Sequence, residues 1–416
     1  MVETKNDGWY KWRMLFFLAF SYFLMHAARQ IFNTALPDIK LTFASQGISD
    51  GQWGLSRTVF LFAYGLMVPL AGIAADLSRR KWVIVVGALL FSASVFVTGF
   101  ATGFLPFLLL YGLFNGWGQC MLPASSSSLI AQHHTETRST ALSFYQIGLY
   151  FGIIIASLCC DFAHNVSTEG WRYVFICFGG LGLLWLLVLI FFLRDTPQPV
   201  HADGSVEKAS FREAALAMVS KPSALLLTFA FGMLVYGSNC FRTWMPMFMR
   251  ENPAFESNYM SLHAVLWFYI GSFIGIFSGA RISDRLSKKH PGVRLEIMAL
   301  GMLLSAPAMA AMVYMPTLPL CCLMMFIFGV GGGFFDCNLY AGLFDVVAPR
   351  YRAAATGVYL AGAFILGCPA TAVVGWMKDH TSLQTAIAIF GSTYLIGGIA
   401  IAVARAVFYK KDRVDE

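Results

Sequence analysis

The chain is poor in charge. Asp, Glu, Lys and Arg make up 12% of its 416 residues, hydrophobic residues make up 58%, and the mean hydropathy is +0.66. Soluble domains carry about 25% charged residues, so a soluble globular protein is excluded. Acids are scarcest where the chain is apolar: only Asp336 falls deep inside an apolar run. The nine cysteines all lie in apolar stretches and none has zinc-site spacing. They are expected to pack, without disulfides. No nucleophile motif, phosphate-binding loop or metal-ligand cluster is present, His133 and His134 included, so neither an enzyme nor a cofactor is expected. A cleavable signal peptide is not expected either. The first eight residues are polar, and the apolar stretch after them is too long and lacks a small-residue cleavage site.

What the chain has is apolar length. Runs of about 20 apolar residues, enough to span a bilayer core, occur at 13–37, 53–75, 82–102, 105–130, 139–160, 171–193, 223–248, 259–281, 294–314, 318–344, 353–376 and 382–408. The expected fold is an all-α polytopic membrane protein with twelve transmembrane helices. The net charge of +7 sorts by loop rather than forming a nucleic-acid patch. With the N-terminus inside, alternate loops hold most of the Lys and Arg, and the opposite loops hold only Lys40, Arg172, Arg250 and Lys378. The positive-inside rule then places both termini in the cytoplasm. The expected partners are the lipid bilayer and a small anion, not nucleic acid, and the functional unit is expected to be a monomer.

Arg29 lies within the first apolar run. A guanidinium at mid-span costs about 2.5–3.5 kcal/mol by insertion scales, and it stays protonated. Its charge must therefore face protein, water or a ligand. At helical spacing Tyr22, His26, Arg29 and Asn33 share one stripe. The pattern reads as an anion site in a membrane cavity; snorkelling or neutralisation by an acid on another helix are the plainer alternatives.

The sequence repeats itself in halves, 1–193 and 223–416, joined by a polar linker at 194–222. Gly72-Ile-Ala-Ala-Asp76-Leu-Ser-Arg79-Arg80-Lys81 follows the second span. Ala280-Arg-Ile-Ser-Asp284-Arg285-Leu-Ser-Lys288-Lys289 follows the eighth. Pro37 and Pro246 correspond in the same way. A two-half repeat with a site between the halves is a transporter design. The first of these stretches resembles the loop signature of the major facilitator superfamily, with Ser78 at the second glycine. The resemblance implies a cytoplasmic latch of Asp76, Arg79 and Arg80, repeated by Asp284 and Arg285.

Within that superfamily, Arg29 with Pro37 resembles both the organophosphate:phosphate antiporters and the anion:cation symporters, which place an arginine there to hold an anion. Asn115-Gly-Trp-Gly-Gln119-Cys-Met-Leu-Pro123 is similar to an antiporter motif, Gly170-Trp-Arg-Tyr-Val-Phe is similar to the symporters, and Trp244-Met-Pro246 is similar to a motif that both groups share. The departures narrow the reading. Ser238 stands at the antiporters' second arginine, with Arg242 one turn further on. Tyr145, Gln146 and Leu149 replace their Trp, Asn and His. The symporters' acids are Ala28 and Gln119 here. One certain arginine suits a carboxylate better than a phosphate dianion. Arg57, at the start of span two, is taken as an outer-end snorkeller.

The expected function is a secondary active transporter of a small organic anion by ion-coupled symport. A carboxylated sugar such as a sialic acid, hexuronate or aldonate fits, in a bacterial cytoplasmic (inner) membrane. The runners-up are organophosphate:phosphate exchange and, further off, export of amphipathic or lysolipid compounds. Substrate contacts are expected from Arg29, Tyr22, Asn33, Gln119, Tyr145, Gln146, Arg242, Asn239, Asn338 and Tyr359. Tyr64 and Tyr236 add softer candidates. The coupling ion is H+ or Na+, with His26 and Asp336 as the proton-coupling candidates.

Overall fold

The computed structural model describes residues 7–77, 79–134, 137–194, 211–287, 289–290, 292–348 and 351–414. Among them there is no β-strand. Twelve helical stretches, labelled α1 to α12, cover the expected spans. They are α1 (Asp7–Thr42), α2 (Asp50–Leu77), α3 (Arg80–Thr98), α4 (104–133), α5 (Arg138–Val166), α6 (Gly170–Phe192), α7 (Pro222–Glu251), α8 (Met260–Ser287), α9 (Val293–Met312), α10 (Leu318–Phe344), α11 (352–380) and α12 (Leu383–Asp412). Ten of these pass as membrane spans by length and apolarity among the described residues; α2 and α4 are the other two. Several outrun the sequence expectation. At 1.5 Å per residue, the 36 residues of α1 reach about 54 Å, well past a hydrocarbon core of about 30 Å. The extra turns are polar-ended helix beyond the apolar run. A short helix, Phe211–Val219, lies in the expected linker.

The chain forms two compact units. One takes the chain to Ile48 and again from Ser56 through α6; the other takes Ser49–Leu55 and α7 onward. In the first, α1 packs chiefly on α5, and α3 on α6 and α4. In the second, α7 packs on α11 and α12, and α9 on α12 and α10. The repeat seen in the sequence is thus a repeat of helix pairing.

Glycine sets the closest approaches. A Cβ on Gly148 or Gly152 of α5 would stand 2.4 Å from the carbonyl oxygen of Ala19 or Phe23 on α1. Only glycine lets those backbones touch, as in small-residue membrane interfaces. All nine cysteines are free.

Candidate functional site

The α1–α5 contact places the polar stripe. With the two backbones pressed together, Tyr145 of α5 stacks on Tyr22 at 4.1 Å, and His26 meets Tyr22 edge-on at 4.5 Å. Arg29 is one turn further on. Its guanidinium lies over the rings of Tyr64 at 4.6 Å and Phe60 at 5.4 Å, both on α2. Its Nε–H donates to Oε1 of Gln119 on α4. Gln119 in turn donates through Nε2 to Oδ1 of Asn115 at 2.8 Å.

Gln119 is 0% exposed and both ends of its amide are engaged. It was expected at the ligand; the structure makes it a support for the arginine. Nη2 of Arg29 is buried and has no partner, and no ion pair to Arg29 exists among the described residues. A cation–π contact offsets about 0.5–2 kcal/mol, less than the cost of the buried charge. The arginine is held in place but not neutralised.

Arg57 corrects a second expectation. It is not a snorkeller: it is 5% exposed. Its Nη1 donates to the Tyr111 hydroxyl at 3.2 Å, and its guanidinium sits 4.6 Å from the Phe60 ring. Tyr111 lies in a run of wide π turns, Leu108–Phe114, inside α4. Such turns are rare and occur often at functional sites.

The remaining candidates of the first unit divide by exposure. Asn33 is buried and donates to Gln30 Oε1 at 3.3 Å. Tyr22 and Tyr64 are half-buried, and Gln146 is exposed. In the second unit, Ser238 is tied to the Tyr394 hydroxyl at 2.8 Å. Asn338 accepts from Ser283 at 2.7 Å, and Tyr359 is fully buried against Phe231. Asn239 is buried with Nδ2 unpaired, while Arg242 is half-buried. Asp336 is exposed where α10 breaks at Cys337. Arg242 is the charged group that acts on it electrostatically.

Of the expected latch, the side chain of Asp76 lies outside the described residues. Arg79 is exposed and Arg80 half-buried. Asp284 and Arg285 are both exposed, with no ion pair among the described residues. That end of the second unit is tied instead by Arg294 to Asp345 at 2.7 Å and Arg405 to Glu296 at 2.9 Å. The sequence reading also missed a buried acid, Asp38, paired with His164 at 2.7 Å.

A proline removes the hydrogen bond to the carbonyl four residues earlier. Pro37, Pro123 and Pro246 lie inside helices, and four residues earlier stand Asn33, Gln119 and Arg242. These three breaks fall at candidate side chains, whereas Pro307, inside α9, stands four residues after Leu303.

A two-unit helical membrane fold with an uncompensated arginine inside one unit is similar to that of membrane transport proteins. The chain belongs to the Major Facilitator Superfamily, whose sequence profile matches residues 18–359 and 256–415. It is 27% identical to "Protein spinster homolog 1" of Xenopus laevis, over 91% of this chain and 77% of that one. It is 26% identical to "Ascorbate transporter, chloroplastic" of Arabidopsis thaliana, over 84% and 67%. Its fold is similar to the crystal structure of a bacterial homologue of the human lysosomal transporter spinster. That match has a TM-score of 0.80 and 21% identity, and it covers 98% and 99% of the two chains.

Proposed function

We propose that the chain is a secondary active transporter of a small organic anion, with Arg29 as its anion contact. The observation that carries this reading is the state of that side chain. It is fixed through Nε by a neutral amide, backed by two rings, has no ion pair among the described residues, and keeps an unpartnered Nη2. The Nη edge matches a carboxylate as a planar fork. A carboxylated sugar of the sialic acid, hexuronate or aldonate type is the first class proposed, because the half-buried Tyr22 and Tyr64 and the exposed Gln146 suit hydroxyls and a ring face.

Transport is proposed to run by alternating access as an ion-coupled symport. His26 and Asp336 are the proposed proton sites if the ion is H+. The proposed setting is a bacterial cytoplasmic membrane with both termini inside, by the distribution of Lys and Arg. The second reading is organophosphate:phosphate exchange. Arg242 favours it, one turn beyond Ser238, but Ser238 itself is occupied by Tyr394.

A thermal-shift screen of the purified protein tests both readings, since a ligand bound only by the folded state raises Tm. Stabilisation by sugar acids supports the first, and stabilisation by sugar phosphates alone selects the second. A flat response to every anion sinks the anion reading.

A further inference from the structure

Two guanidinium groups, not one, stand against Phe60. Arg29 lies 5.4 Å from the ring centroid and Arg57 lies 4.6 Å from it. Their separation therefore cannot exceed about 10 Å, the two distances end to end. Arg57, Phe60 and Tyr64 fall at i, i+3 and i+7 on α2, so one helix face presents a cation and the two rings that back Arg29. Tyr111 joins the pair. Its hydroxyl accepts from Arg57 Nη1 at 3.2 Å and lies 3.5 Å from the backbone oxygen of Arg29. Like charges this close, away from bulk water, raise each other's energy, and an anion lowers both.

We propose that Arg57 is a second cation of the anion site, so that the site favours an organic anion with two negative charges over one with a single charge. This rests on Arg29 being the anion contact. It adds, within the first unit alone, the charge that Ser238 does not supply in the second. Arg57 sets how much negative charge the site takes, and Tyr111 holds it in place.

The test compares gluconate, with one carboxylate, and glucarate, with two on the same six-carbon frame. Affinities are read by thermal shift on the full chain for wild type, Arg57→Gln and Tyr111→Phe. Wild type is expected to bind glucarate more tightly. Arg57→Gln is expected to weaken glucarate on the order of tenfold more than gluconate, by loss of one close charge. Tyr111→Phe keeps ring and charge and is expected to act in the same direction by a smaller factor. Equal weakening of both acids by Arg57→Gln, or no weakening of either, overturns the proposal. A wild type that binds gluconate as tightly as glucarate also overturns it, and leaves the Arg29 reading standing. A wild type that binds neither acid overturns this inference, and the Arg29 reading then falls only if the wider screen of anions is flat as well.

Discussion

The amide oxygen of Gln119 takes the Nε–H of Arg29 and leaves the buried Nη2 of the guanidinium without a partner. The arginine's direction is thereby set by an uncharged group, and its charge stays whole. Hydrogen bonds to charged groups contribute about 1.5–3 kcal/mol. Gln119→Leu, similar in bulk and without the acceptor, is expected to weaken anion binding roughly 10- to 100-fold by that measure. Gln119→Glu supplies an internal carboxylate. Its affinity is expected to fall at neutral pH and to recover as the glutamate is protonated in acid. Titration calorimetry across pH 5–8 would show this, and a wild-type profile in Gln119→Glu would count against the arrangement.

The contact of Gly152 with the Phe23 carbonyl holds α1, and with it Arg29, against α5. Gly152→Val puts a branched side chain where even a Cβ would stand 2.4 Å from that oxygen. Overpacking of this kind costs about 1–3 kcal/mol or more. The variant is expected to melt several degrees lower and to bind anion less tightly, because the arginine moves with its helix. An unchanged Tm would mean that the two helices are free to part.

Asp336 is exposed at the break in α10 and makes no ion pair among the described residues. As a proposed proton site, its replacement by Asn is expected to abolish proton-driven accumulation while anion exchange persists. Accumulation in proteoliposomes under an imposed pH gradient reads the first, and counterflow without a gradient reads the second. Full accumulation by Asp336→Asn removes it from coupling.

His134, just beyond α4, is buried at 1% exposure. It bonds the Lys11 carbonyl through Nε2 at 3.1 Å and the Thr137 hydroxyl through Nδ1 at 2.9 Å. The carbonyl can only accept, so Nε2 carries a hydrogen. Burial lowers its pKa from the ordinary 6.5. The folded state thus disfavours the proton. The stabilisation is complete above about pH 6.5 and is lost as pH falls through the lowered folded value. Tm is expected to drop on acidification below that point, and His134→Gln is expected to flatten the drop. A slope unchanged in His134→Gln would assign the acid sensitivity to other groups.

The twelve helices were legible because apolar length and period carry them. The halves stand out in the sequence because their loops and prolines repeat. Arg29 stands out in the sequence because charge is so rare around it. What the sequence hid were roles that depend on which helices touch. Gln119 reads as a ligand contact until α4 is seen behind Arg29 rather than beside a cavity. Arg57 reads as a boundary residue because it begins an apolar run. Only the approach of Tyr111 and Phe60 shows it buried. Asp284 and Arg285 resemble a latch by motif, yet Asp345 and Glu296, in no motif, make the ion pairs.

The claim that Arg29 holds the anion through its planar fork is tested most directly by Arg29→Lys. Lysine keeps the charge and loses both the bond to Gln119 and the fork. The measurement is counterflow in proteoliposomes of whichever acid raises the wild-type Tm most, with Tm of the variant recorded alongside. The account predicts a folded protein that exchanges no anion above background. Exchange at the wild-type rate by Arg29→Lys would contradict it.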